Sequence, residues 1–480
     1  MERLSNYIDG VARDPVNGTY LDNVDPATGK IYSHIPDSDN ADLALAIAAA
    51  ENALPSWKAL SLEARAKILN GIADGIDRRL EELARAESVD NGKPISLARS
   101  LDIPRASANF RFFAAAMTQF SSESHTTGIE AINYTLRDPL GIVGCISPWN
   151  LPLYLFTWKI APALAAGNCV IGKPSEVTPM TAYLLGEICT EAGLPPGVLA
   201  IVHGRGSSIG QALVSHPKVK AISFTGGTAT GSAIAAKAAP VFKKLSLEMG
   251  GKNPTFVFAD CDYESTLTGT LRAAFANQGE ICLCGSRIFV ERSIYNRFRD
   301  DFVSRASALK LGDPLNEETQ QGALVSEEHM EKVLSYIELV RQEGGRILNG
   351  GHRVTVPGRC QDGYFVAPTV IEGLSADCRV NQEEIFGPVA TLIPFDSEEE
   401  ALAMANGVRY GLAASVWSSD IRRCHRVARL LEAGVVWVNC WLLRDLRTPF
   451  GGMKDSGVGR EGGLEALRFF TEAKNVCIKY

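Results

Sequence analysis

Val219-Lys220-Ala221-Ile222-Ser223-Phe224-Thr225-Gly226-Gly227-Thr228-Ala229-Thr230-Gly231 decides the fold class. Val219 to Phe224 is rich in apolar, β-favouring residues and reads as a strand. Two glycines interrupt it, and the alanine-rich run from Thr228 reads as a helix. The same unit recurs upstream. Asn168-Cys169-Val170-Ile171-Gly172 is a short apolar strand followed by a helix over 178–192, and Leu199-Ala200-Ile201-Val202 is a strand followed by a helix from Ser207. Strands alternating with helices in this way form βαβ units, so the expectation is an α/β protein with a parallel sheet.

A second alternating block follows residue 254, with strands expected over 254–258, 287–291, 388–394 and 434–439, and helices over 263–276, 293–309, 327–344, 397–406 and 420–432. Ahead of the first block, 41–54 and 62–92 are helical by period and composition. Asp102-Ile103-Pro104-Arg105 opens a further helix through Phe110 and Phe112, with proline in the first turn, where its missing N–H costs nothing. Residues 130–146 read as extended with a turn near Asp138-Pro139, and Asn475 to Tyr480 as a terminal strand. Such a strand needs a partner edge, which another subunit can supply.

The bulk properties narrow the function. A chain of 480 residues is long enough for two or three domains with sizeable cores. Hydrophobic residues at 46% and charged residues at 21% are ordinary for a soluble globular protein. A net charge of -7 gives no electrostatic reason to expect nucleic acid or an anionic membrane as partner. Eleven scattered cysteines do not make a disulfide framework, and Cys282-x-Cys284 lacks the neighbouring ligands of a zinc site, so no metal is expected. The polar N-terminus and the lack of a ~20-residue apolar run point to a cytoplasmic, reduced setting.

Two segments carry chemistry. Phe275-Ala276-Asn277-Gln278-Gly279-Glu280-Ile281-Cys282-Leu283-Cys284-Gly285-Ser286-Arg287 places a cysteine between a glycine turn and a strand, and Leu247-Glu248-Met249-Gly250-Gly251-Lys252 holds a carboxylate among glycines. A nucleophile able to form a thioester, with a carboxylate able to activate water, is the equipment for oxidising an aldehyde to an acid. A hydride acceptor is also needed. G-x-G-x-x-G is absent, but the turn at Gly226 and Gly231 lies where a strand meets a helix N-terminus and can take a pyrophosphate; equally it can be a plain βα turn. Lys173-Pro174-Ser175-Glu176, after another strand, can hold ribose hydroxyls or simply cap the next helix.

Taken in order, Ser147-Pro148-Trp149-Asn150-Leu151-Pro152, Lys173-Pro174-Ser175-Glu176, Phe224-Thr225-Gly226, Leu247 to Lys252, the Cys282 segment, Glu383-Glu384-Ile385-Phe386-Gly387-Pro388 and Pro449-Phe450-Gly451-Gly452-Met453-Lys454 resemble the aldehyde dehydrogenase superfamily over essentially the whole chain. The resemblance implies a Rossmann-type NAD-binding domain (1–119 and 139–249), an α/β catalytic domain (250–450) and a small β oligomerisation extension (120–138 and 464–480). It implies Cys282 as nucleophile, Glu248 as general base, and Asn150 with the Cys282 N–H as oxyanion donors. It further implies Lys173 and Glu176 at the adenosine ribose, Gly226 and Gly231 flanking the pyrophosphate turn, Glu384 at the nicotinamide ribose with Phe386 packing nearby, and Trp149 on the cofactor-side wall. A carboxylate at 176 would repel a 2′-phosphate, which favours NAD over NADP. The implied partner, besides an aldehyde, is another copy of the chain in a homodimer or homotetramer.

Two arginines address the substrate. Arg444, in Asn439-Cys440-Trp441-Leu442-Leu443-Arg444, falls where the family lines its substrate tunnel, and Arg105 lies on a helix that borders it. Two guanidinium groups can clamp a carboxylate; alternatively they are solvated, or pair with Asp102 and Asp445. These segments, with the Cys282 segment, look like the 2-aminomuconic and 2-hydroxymuconic semialdehyde dehydrogenases of aromatic-ring meta-cleavage and tryptophan (kynurenine) catabolism. The expected reaction is therefore NAD-dependent oxidation of a carboxylate-bearing semialdehyde through a Cys282 thiohemiacetal and thioester. The alternatives are a broad-range or betaine-type aldehyde dehydrogenase, a CoA-acylating relative, which Glu248 disfavours, and a non-catalytic protein with this fold.

Overall fold

The computed structural model describes residues 2–480. Its first large sheet has eight strands, five of them parallel, in the spatial order Lys244–Glu248, Val219–Thr225, Ile142–Ile146, Cys169–Lys173, Leu199–Ile201. Among these five the chain starts at Ile142–Ile146, builds outward through two strands on one side, then crosses to build two on the other. The strand order therefore reverses between Ile142–Ile146 and Val219–Thr225. Outside the carboxyl ends of the strands at such a reversal is where open α/β sheets bind ligands. Ser147–Asn150 leave one of these two strands and Gly226–Gly227 the other.

The second large sheet has seven strands, parallel except for Arg346–Asn349 at one edge. The chain passes from the first sheet to the second through Met249–Asn253, which links Lys244–Glu248 to Pro254–Val257, and returns after Val435–Val438 to add Gly457–Val458 beside Lys244–Glu248. Glu248 thus ends the last parallel strand of one sheet, within a few residues of the first strand of the other. A third, three-stranded sheet joins Ser124–Thr127, Ala131–Pro139 and Thr471–Lys479.

Several boundaries differ from expectation, each for a local reason. The first helix continues through Pro55 to span Asn40–Ala59, and the expected helix over 62–92 breaks at Arg79 into Leu62–Arg78 and Leu80–Asn91. The helix expected from Ser207 begins as a π turn over Gly206–Gly210 before Gln211–Ser215. The turn expected near Asp138-Pro139 falls after the strand, at 140–141. The helix Pro152–Ala165 carries no period, because every residue in it is buried and no polar face marks it. Ala413–Trp417, interior to the second sheet, and Thr369–Glu372 are short strands that propensity alone did not separate from their flanks. The terminal strand is longer than expected, Thr471–Lys479, and finds its partner edge in this chain, on Ala131–Pro139; its other edge is open. No helix among the described residues is long and apolar enough to cross a membrane.

Candidate active site

The loop carrying Cys282 is held in a tight turn. The helix Tyr263–Phe275 ends as Ala276 leaves helical geometry, and Asn277, Gln278 and Gly279 then take φ of 52°, 55° and 74°. Left-handed backbone at non-glycine residues costs of order 1–3 kcal/mol each and persists only where the surroundings impose it. Here the side chains impose it. Asn277 Nδ2 donates to the Asn150 carbonyl (3.1 Å), while Gln278 Nε2 donates to the Ala323 carbonyl (3.1 Å) and its Oε1 accepts from Gly322 N–H (3.2 Å). A Cβ on Gly279 would run into the Gly387 carbonyl, so the Cys282 and Glu384–Pro388 segments pack backbone to backbone.

Asn253 fixes the far side of the loop, its Nδ2 donating to the carbonyls of Cys282 (2.7 Å) and Cys284 (2.9 Å). The Cys282 N–H finds no acceptor among the described residues. Nearby, Asn150 Nδ2 donates one proton to the Glu280 carbonyl (2.9 Å), leaving its second free, since an amide nitrogen carries two. Asn150 is itself pinned through its carbonyl by Lys93 Nζ (3.0 Å), a fully buried lysine paired with Glu87 and Asp102.

Cys282 lies where two cavities meet. One is lined by Leu151, Ile281, Phe450, Glu248, Arg105 and Arg444, among others; the other by Trp149, Asn150, Gly226, Gly250, Glu384 and Phe386, among others. Burial pushes the Cys282 thiol up to about 12, with the Glu384 and Glu248 carboxylates adding to the shift and Arg444 opposing it. Glu248 is buried with neither carboxylate oxygen hydrogen-bonded. Burial, then the Glu461 carboxylate, raise it well above the ordinary carboxylate range, against the pull of Lys159, Arg460 and Arg444. Glu461 accepts from Lys159 Nζ (2.7 Å) and Ser223 Oγ (3.0 Å).

A third cavity, past the ends of the same strands, is lined by Ile146, Gly206, Gly210, Phe224 and Thr230, among others. Lys173 Nζ and Glu176 pair at 2.6 Å beside it, and Gly206 N–H donates to Glu176 (3.0 Å). Burial alone would raise the Glu176 carboxyl, but the Lys173 ammonium overrides it and the net shift is downward. At the other end Glu384 accepts from Gly251 N–H (2.9 Å), and a Cβ on Gly250 would collide with its carboxylate. Trp149 and Phe386 meet edge to face with centroids 5.3 Å apart. One expected residue stands apart: Gly231 lines none of these cavities but is buried against Met249, whose sulfur a Cβ there would strike.

Arg105 and Arg444 do not pair with Asp102 and Asp445. Asp102 binds Lys93, and Asp445 binds Arg447 at 2.6 Å. Both arginines instead turn into the first cavity. Sequence reasoning did not single out Asn253, Lys159, Glu461, Tyr154, or the pair His329 and Lys332, which line the second cavity. Asn253 stands directly after the Glu248 segment and was findable there; the others come from distant elements and carry no local signal.

Residues 13–476 match the model of the aldehyde dehydrogenase family. The chain is 52% identical over 480 residues to 2-aminomuconic semialdehyde dehydrogenase of Mus musculus, covering 99% of this chain and 98% of that one. It is 46% identical over 485 residues to 2-hydroxymuconic semialdehyde dehydrogenase of Pseudomonas sp. (strain CF600), covering all of both. Among solved structures, the NAD+ complex of an aldehyde dehydrogenase from Bacillus cereus superimposes with a TM-score of 0.97 at 38% identity, covering 100% of this chain and 97% of that one.

Proposed function

The chain belongs to the aldehyde dehydrogenase family, and we propose that it oxidises a short unsaturated semialdehyde bearing a carboxylate at its far end, of the 2-hydroxymuconic or 2-aminomuconic kind, to the dicarboxylic acid. One observation carries the substrate class. Two arginines without carboxylate partners among the described residues face the cavity that ends at Cys282. A cationic substrate would be repelled there, and a neutral one would leave both arginines without an ion-pair partner.

The second and third cavities suit NAD. A cofactor ribose can bind Glu384, whose carboxylate is seated against Gly250 where a Cβ would exclude it, and Thr225 Oγ1, lining the same cavity, is buried without a partner. Lys173 and Glu176 would hold the adenosine ribose, where the Glu176 carboxylate opposes a 2′-phosphate. NAD bound there supplies the hydride acceptor.

Within the chain, Cys282 Sγ attacks the aldehyde carbon, and its proton passes to Glu248. The charge developing on the aldehyde oxygen is met by the Cys282 N–H and the free Asn150 amide proton, donors already in place before the charge forms. After hydride leaves the thiohemiacetal, a thioester remains on Sγ. Glu248 releases the thiol proton to solvent, then takes a proton from water, whose oxygen attacks the thioester. As the C–S bond breaks, Glu248 returns that proton to Sγ, freeing the acid and restoring the thiol. Two domains and a three-stranded extension serve this chemistry, and the open edge of Thr471–Lys479 supports assembly of a homodimer or homotetramer in the cytoplasm.

The test is kcat/KM with NAD for 2-hydroxymuconic semialdehyde, 2-aminomuconic semialdehyde and a neutral aldehyde of similar length. The semialdehydes are expected to exceed the neutral aldehyde by about 100-fold, the worth of a charge-assisted pair. Equal values would overturn the substrate class and leave the reaction type standing.

A further inference from the structure

Arg444 and Arg105 reach the substrate cavity from elements far apart in sequence, yet both converge on one side chain. Arg444 Nη1 donates to the hydroxyl of Tyr154 at 2.8 Å. The Arg105 guanidinium lies over the Tyr154 ring, 5.8 Å from its centroid. Tyr154 is itself immobile. It is 4% exposed on the buried helix Pro152–Ala165, and its carbonyl accepts from Asn109 Nδ2 (3.1 Å), on the same helix as Arg105 and one turn beyond it. The Arg444 guanidinium is also seated on the Phe450 ring, 4.0 Å from the centroid.

The choice of acceptor matters chemically. A carboxylate in place of the phenol would orient Arg444 equally well but would neutralise it. A neutral hydroxyl orients the guanidinium and leaves its charge for an incoming anion. We infer that Tyr154 is a positioning residue for substrate selectivity, holding Arg444 by its hydroxyl and Arg105 by its ring so that neither guanidinium is ion-paired and both face the carboxylate end of the tunnel. The inference rests on the carboxylate-bearing substrate proposed above.

The test uses Tyr154→Phe, Arg444→Ala and the double variant of the full-length enzyme with saturating NAD. In Tyr154→Phe, KM for 2-hydroxymuconic semialdehyde is expected to rise about 10-fold, the effect of losing one hydrogen bond to a charged group. Its kcat and the first-turnover NADH yield, which counts intact sites, stay within about 2-fold, and kcat/KM for a neutral aldehyde of similar length is unchanged. In the Arg444→Ala background, Tyr154→Phe adds nothing, because the bond it removes is already gone. A purely structural role would instead move both substrates together and add to Arg444→Ala, and either result overturns the inference. The two readings fail separately. If Arg444→Ala hurts both aldehydes equally, the carboxylate substrate is wrong and the inference falls with it. If Arg444→Ala is selective but Tyr154→Phe is silent, the substrate stands and only the role of Tyr154 is lost.

Discussion

Cys282 stands between a cofactor cavity with glycine backbone at Gly226, Gly227 and Gly250 in its wall and a substrate cavity with no glycine in its lining. On the cofactor side, space is made by leaving side chains out: Gly250 has no Cβ because Glu384 occupies that position, and the strand ends at Thr225 turn through Gly226 and Gly227. On the substrate side, specificity is made by putting side chains in, with Arg105, Tyr154 and Arg444 arriving from three separate elements. A backbone wall suits a ligand that is constant, and a side-chain wall can be rewritten without touching the chain path. The two sides therefore answer mutation differently, and Cys282, with Thr225 and Met249, lines both.

Cys282→Ala removes the nucleophile that both sides share, and the effect is the largest expected. Loss of a nucleophile typically costs on the order of 10⁴-fold or more in kcat. NADH formation should vanish from the first turnover with every aldehyde, acid or neutral, while NAD binding followed by fluorescence quenching is retained. A residual first-turnover burst would mean that the nucleophile is elsewhere.

Glu248→Gln separates the two halves of the cycle. Water activation by a positioned base is worth about 10²–10⁴-fold, so steady-state turnover falls by that amount while part of the first burst of NADH survives on a stable acyl-enzyme, detectable by mass spectrometry. The pH dependence follows from the same group. Burial and Glu461 raise the Glu248 carboxyl, so its basic form is gained only as pH rises through that raised value, and kcat climbs with pH above the ordinary carboxylate range. The acid limb should disappear in Glu248→Gln. A limb that persists unchanged would assign it to another group.

How much of this was legible in the sequence tracks the same divide. The cofactor side is written in contiguous segments: Gly250 sits two residues from Glu248, and Gly226 follows the strand it terminates, so the motif and the geometry coincide. The βαβ rhythm was equally local. Arg105 and Arg444 were visible through their match to the positions where the family lines its tunnel, but their lack of an ion pair with Asp102 and Asp445 was not, because it depends on Lys93 and Arg447 taking those carboxylates first. Tyr154 was invisible, lying on a helix buried on every face, where neither period nor composition separates a functional side chain from packing. Gly231 was legible as a glycine of the strand-to-helix turn, but its close approach to Met249, which a Cβ would strike, was not.

Gly250→Ala tests whether the backbone wall acts on one side only. Overpacking a tight site costs about 1–3 kcal/mol, which spent on the cofactor corresponds to roughly a 10–100-fold rise in KM for NAD. KM for the semialdehyde at saturating NAD should change by less than about 3-fold, because Gly250 does not line the substrate cavity. A matching rise in both would show that the two walls move together and that the division between them is false.

Cys284→Ala gives the smallest effect and the sharpest contrast, because Cys284 lies only two residues from the nucleophile. Its thiol is buried, its weak contact is with the Ala276 carbonyl at 3.9 Å, and its own carbonyl is already held by Asn253. Cys284 lines neither the substrate cavity nor the cofactor cavity beside Cys282. Trimming one sulfur from such a packing site costs stability of order 1 kcal/mol, a fall of a few degrees or less in Tm, and leaves kcat and both KM values within about 2-fold. If activity fell instead by orders of magnitude with Tm unchanged, the register that assigns the chemistry to Cys282 would be wrong. Proximity in sequence carries no function here: what distinguishes the two thiols is which of them the left-handed turn at Asn277–Gly279 and the clamp of Asn253 deliver to the junction of the cavities.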